Sequence, residues 1–125
     1  MRKLQMTIAN VVIRAELFET TTADAIYGSL PFSAKANTWG DEVYFSVPAT
    51  VSKEEDARAV VEAGELAFWV EGSSIAIGYG PTPISHGDEI RLAAPTNIWG
   101  RALDDVRLLA SVNNGDAIEV HAIDT

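Results

Sequence analysis

Gly64-Glu65-Leu66-Ala67-Phe68-Trp69-Val70-Glu71-Gly72-Ser73-Ser74-Ile75-Ala76-Ile77-Gly78-Tyr79-Gly80-Pro81-Thr82-Pro83 is the stretch whose reading decides the fold. Two apolar runs, residues 66–70 and 75–79, flank the break Glu71-Gly72-Ser73-Ser74. Both are too short for helices and rich in β-branched and aromatic residues. With a Gly/Ser break between them they predict a β-hairpin with a four-residue connection. Pro81 and Pro83 stop it, because proline has no amide hydrogen to give to a ladder.

Working outward, the same alternation recurs. Residues 4–8 and 11–18 alternate apolar and polar, with Ile13, Ala15 and Leu17 on one face, Arg14 and Glu16 on the other, and Asn10 at the turn. Thr20-Thr21-Thr22 offers capping hydroxyls to a short helix over residues 23–30, which Pro31 ends. Residues 32–37 read as a weak strand and 41–47 as a better one, with Val43, Phe45 and Val47 opposite Glu42, Tyr44 and Ser46. Ser52-Lys53-Glu54-Glu55 has the form of a capping box and predicts a short helix within a solvated connection over residues 53–65. Residues 84–95 read as a long loop and 97–101 as a strand. Asp104-Asp105 caps a short helix over 106–112, Asn113-Asn114-Gly115 turns, and 116–123 is a final strand. About eight strands with two or three short helices predict a barrel rather than a sandwich.

Composition narrows the function classes. A chain of 125 residues that is 47% hydrophobic is expected to fold as one domain, residues 1–125. The net charge of −9 and the scattering of the nine basic residues argue against nucleic acid as a partner. The acidity serves solubility, with attraction of a cationic ligand as the alternative. No run of eighteen apolar residues is present, so no membrane partner is expected, and the start of the chain makes a poor signal-peptide core. Without cysteine there is neither a disulfide framework nor thiolate chemistry, and the default compartment is cytoplasmic.

Arg14-Ala15-Glu16-Leu17-Phe18-Glu19 followed by Thr22-Ala23 resembles the strand and helix that open a cyclophilin. Gly64-Glu65-Leu66-Ala67 resembles its middle strand, and Ile98-Trp99-Gly100-Arg101-Ala102 the strand before its last helix. Trp39-Gly40-Asp41-Glu42-Val43-Tyr44-Phe45, Phe68-Trp69 and Gly80-Pro81-Thr82-Pro83 look like the short prokaryotic cyclophilin-like family of uncharacterised proteins. The resemblance covers nearly the whole chain. It implies a closed eight-stranded cyclophilin-like β-barrel capped by helices. In true cyclophilins it also implies an outer-face groove for proline-containing peptides, where an arginine hydrogen-bonds the prolyl nitrogen and lowers a barrier of ~18–20 kcal/mol. This chain departs there: it has no Phe-His-Arg run, and the aligned strand reads Glu42-Val43-Tyr44-Phe45.

Strand alternation describes the outer surface independently. If Val43, Phe45, Leu66, Phe68, Ile75 and Ile77 fill the barrel, then Tyr44, Ala67, Trp69, Ala76 and Gly78 face out. Tyr44 and Trp69 beside small residues make a shelf, Trp39 borders it, and Thr82 and Arg91 stand on the segment that follows the hairpin. The alternative is that the segment over residues 82–95 covers the tryptophans and they extend the core. Asp41 with Glu42 can form an acid/base pair, although a solvated strand start is the simpler reading. His86, Asp88 and Glu89 fit no metal-ligand spacing, Ser85 and His86 diverge, and Gly78-Tyr79-Gly80 lacks the lysine of a phosphate loop. No cofactor or metal is expected. The expected ligand-binding residues are Trp39, Tyr44, Trp69, Thr82 and Arg91, serving a peptide or a small molecule. Prolyl isomerisation and a structural role in a homo-oligomer are the alternatives.

Overall fold

The computed structural model describes residues 1–123. Among them are ten strands, one α-helix and one 3-10 helix. In chain order the strands are β1 (Lys3–Ile8), β2 (Val11–Leu17), β3 (Phe32–Lys35), β4 (Asn37–Thr38), β5 (Glu42–Ser46), β6 (Arg58–Val61), β7 (Glu65–Trp69), β8 (Ser74–Gly78), β9 (Ile90–Ala102) and β10 (Ala117–Ile123). All pairings are antiparallel. Nine strands follow in the order β3-β10-β1-β2-β9-β7-β8-β5-β4, with β6 pairing β9 off this path. Only Ala36 separates β3 from β4, so the path ends where it began and the sheet curls into a nearly closed barrel. The strand count along the path is therefore nine rather than eight, because one bent segment is split in two.

The predicted hairpin is β7 and β8, with Phe68 opposite Ile75 and Trp69 opposite Ser74. Val43, Phe45, Leu66, Phe68, Ile75 and Ile77 are all fully buried in one core cluster with Leu4, Met6, Ile13 and Leu17. Alternation thus put the correct side of each strand inward, and each such side chain stabilises the fold by about 1.5–3 kcal/mol. Helix α1 (Thr21–Gly28) closes one end. Thr20 caps it by accepting the Ala23 amide at 3.0 Å, and Ala23 and Ile26 enter the core. The segment over residues 106–112 forms a 3-10 helix, Val106–Ser111, that buries Val106 and Leu109.

Two expectations are corrected. No helix starts at Ser52. The Glu54 carboxylate accepts instead from the Thr22 backbone and hydroxyl, and the Glu54 amide donates to Asn97 at 2.8 Å. Fully buried Asn97 also donates to the Thr22 hydroxyl and the Ser52 carbonyl, each at 2.9 Å, so long-range partners take the groups a capping box needs. Part of the supposed solvated connection becomes β6.

The second correction concerns residues 84–95, which are not all loop: β9 begins at Ile90 and runs for 13 residues. Its first part pairs with β6 and its last part with β7 and β2. Between them the register jumps from Val60 opposite Arg91 to Arg58 opposite Thr96. Residues 92–95 stand against Ala59 alone, so three residues are surplus and the segment bows out of the ladder, with Pro95 where no donor is required. The two parts of β9 thus serve different surfaces. Its end completes the barrel, while its start lies with β6 over the outside, where Val61, Ile90 and Leu92 pack on Ala67 and Ala76 in a second, smaller core. No helix among the described residues is long and apolar enough to cross a membrane.

Candidate functional site

β6 and the start of β9 form a flap over the outer face, and beside it a hollow stays unfilled. Three adjacent strands present a graded surface on the outer barrel face. The middle one, β8, contributes Ser74, Ala76 and Gly78, while β5 contributes Glu42 and Tyr44 and β7 contributes Trp69. Tyr44 lies opposite Ala76, whose small side chain forms the floor between the larger flanks, while Ala67, opposite Ala76 on the other side, is covered in the smaller core. Over this floor the bowed residues Leu92, Ala93 and Ala94 form a wall, and Trp39, from the β4–β5 turn, borders the opening. The result is a pocket of about 160 Å³ lined by Trp39, Glu42, Tyr44, Trp69, Ala76, Leu92, Ala93, Ala94 and Thr96.

The rings are held by their surroundings. Tyr44 and Trp69 meet edge to face, with centroids 6.2 Å apart and planes at 88°, so they form a corner. The Trp69 ring lies directly on Gly72: a Cβ there would stand 2.3 Å from ring carbons. Only glycine allows that approach, and it fixes the ring at the end of β7, just before the hairpin turn. Trp39 is set by the turn it begins, where its amide donates to the Glu42 carbonyl at 3.0 Å and Gly40 takes φ +59°.

Glu42 is the chemically distinctive group. It is only 6% exposed, and its Oε1 has no hydrogen-bond partner. Burial pushes its carboxyl up to about 7, because no nearby charge repays the lost hydration. The reading of Glu42 as a solvated strand start is therefore corrected. Alternation places it on the outward face with Tyr44, and the flap makes that face an interior. A carboxyl that titrates near neutrality can hold or release a proton and can accept a hydrogen bond from whatever enters.

Of the residues expected to bind a ligand, Trp39, Tyr44 and Trp69 come together in this pocket, whereas Thr82 and Arg91 do not line it. Thr82 is buried and donates its hydroxyl to the Arg91 carbonyl, which ties the 82–89 segment to β9. The Arg91 guanidinium is engaged by Glu89 at 2.6 and 3.3 Å. That pairing, with the His86 amide on the same carboxylate, holds Glu89 below the usual carboxylate range. Among the described residues no cluster of three His, Cys, Asp or Glu side chains could hold a metal ion. Glu42, Leu92, Ala93, Ala94 and Thr96 were missing from the expected ligand-binding residues, and Ala76 was read only as a small residue of the outward shelf. Their signal was faint: small residues on β8, and an Ala-Ala-Pro bow inside a strand.

Comparison with known proteins agrees with this architecture. A family model described as cyclophilin-like matches residues 2–121. The chain belongs to the cyclophilin-like family. This cyclophilin-like protein is similar to the solution structure of the hypothetical protein AF2241 from Archaeoglobus fulgidus, at 36% identity and a TM-score of 0.83, covering 96% of this chain and 93% of that one. It also shares its fold with McbB, solved in complex with tryptophan, at 15% identity and a TM-score of 0.70, covering 94% of this chain and 44% of that one. Among curated proteins none matches the sequence.

Proposed function

We propose that this cyclophilin-like protein binds a small organic molecule, or one side chain of a peptide, in the outer-face pocket. Trp39, Tyr44 and Trp69 enclose an apolar group, and Glu42 accepts a hydrogen bond from it. The single observation behind this reading is the Glu42 side chain, which lines the pocket while its buried Oε1 has no partner. A buried polar atom without a partner costs about 1–3 kcal/mol, a cost that a ligand donor removes. The volume of about 160 Å³ matches cavities that accept a benzene-sized group, so the pocket takes a ring or head group rather than a whole drug-sized molecule. McbB, of the same fold, was solved with tryptophan, which agrees with ligand binding without naming a ligand here.

The prolyl isomerase alternative needs a charged donor beside the bound proline. No arginine lines the pocket, and Arg91 is occupied by Glu89. A standard X-Pro peptide assay is expected to show little acceleration, and robust activity abolished by Arg91→Ala would restore that alternative. A cytoplasmic location belongs to the same proposal, resting on a sequence without cysteine. The binding reading is tested by a fragment screen observed through the tryptophan indole resonances in two-dimensional NMR. Ring-sized fragments should shift the signals assigned to Trp39 and Trp69 while that of buried Trp99 stays in place. A screen in which only Trp99 or no indole signal moves would sink it.

A further inference from the structure

We propose that the pocket is built for a small organic cation headed by an alkylated ammonium group, an inference that rests on ligand binding at this site. The Tyr44–Trp69 pair, with planes at 88°, and Trp39 line the pocket with aromatic surface, against which a diffuse positive charge is stabilised. Glu42, nearly fully buried with Oε1 free, supplies the opposing charge. An ionised carboxylate in apolar surroundings is costly unless a cation accompanies it, so a cationic ligand gains most from this arrangement and an anion is excluded.

The balance of aromatic surface over acceptors favours an alkylated over a primary ammonium. A primary ammonium brings three N–H donors and needs partners for them. Beside Glu42 the side-chain acceptors of the lining are the Tyr44 and Thr96 hydroxyls, the latter donating its own hydrogen to the Arg58 carbonyl at 2.8 Å, so three N–H donors would need all three groups at once. A quaternary head has no N–H to satisfy and spreads its charge over methyl groups that suit ring faces. The net charge of −9 adds attraction at a distance.

The groups facing Glu42 leave its titration to the ligand. Tyr44 is the other titratable residue of the lining; β8 carries no charge, and Arg91 on β9 is held by Glu89. Asp41, next in the chain, has its carboxylate against Gly80. A bound cation therefore favours the ionised carboxylate and expels its proton.

The test titrates choline, tetramethylammonium and the neutral choline isostere 3,3-dimethylbutan-1-ol against the whole chain, read by tryptophan fluorescence. Both cations should saturate, and the isostere should bind at least about tenfold more weakly. Choline should bind about tenfold more weakly at about pH 6 than at about pH 8, because Glu42 must ionise. Glu42→Gln, which keeps size and shape, should lose the pH dependence and at least about tenfold in choline affinity. Trp69→Ala should also lose choline binding. Equal binding of the isostere, or unchanged binding by Glu42→Gln, would overturn the cation inference and leave a charge-blind pocket that still binds ligands. Absence of saturation by both cations would overturn it as well, while the fragment screen separately decides whether the pocket binds anything.

Discussion

Glu42→Gln provides a direct measurement of how strongly the flap desolvates the pocket. Burial moves the carboxyl from an ordinary 4.5 to about 7. Between those values the folded chain binds a proton at Glu42 that the unfolded chain has released. Glu42 therefore makes the fold lose stability as pH rises through that window, and the loss is constant above it. At about 1.36 kcal/mol per pH unit, the full effect is about 3 kcal/mol, or about 10 °C in Tm for a chain of this size. Groups of opposite sign act on the acid side. Asp104 and Glu65 are held low, first by hydrogen bonds from Arg14 and Arg58, and their stabilisation is lost as pH falls. The wild-type and Glu42→Gln chains share those groups, so their difference isolates Glu42. Any fixed cost of the glutamine amide offsets the whole curve and cancels in the change of that difference with pH. Tm measured by circular dichroism from about pH 4 to about pH 8 should show Glu42→Gln gaining about 10 °C on wild type across the window. Parallel curves would refute the argument, because they would mean that water reaches Glu42 and its carboxyl titrates like any surface group.

Other substitutions examine separate parts of the reasoning. Phe68→Ala, at a fully buried core position, should cost about 3–5 kcal/mol, whereas Trp69→Ala, on the half-buried outer face, should cost clearly less; chemical denaturation of both variants checks this, and equal losses would contradict the facing of β7. Gly72→Ala places a methyl group against the Trp69 ring, so it should keep the fold by circular dichroism yet shift the Trp69 indole resonance and weaken fragment binding. Asn97→Ala strands the Glu54 amide and the Ser52 carbonyl, and a urea midpoint corresponding to a loss of about 2–4 kcal/mol is expected.

Much of this protein was legible from local pattern alone. The inward faces of β5, β7 and β8, the hairpin around Gly72, the Thr20 cap and the barrel class follow from alternation, turn chemistry and capping, which act over a few residues. Membership of the cyclophilin-like family was likewise visible in short motifs from Arg14 to Ala102. The tertiary structure decided where the long-range partners lie. Ser52 and Glu54 carry a capping pattern, yet Thr22 and Asn97, far away in sequence, claim Glu54. Pro95 reads as a loop residue, yet a strand absorbs it by bowing opposite β6. Glu42 is the clearest case. Its parity with Tyr44 placed it on the outer face, and an outer face ordinarily means water. Only the return of β9 across that face removes the water and turns a surface carboxylate into a buried group near neutrality. Strand parity is a property of the chain, whereas solvent exposure depends on what the rest of the chain lays over it.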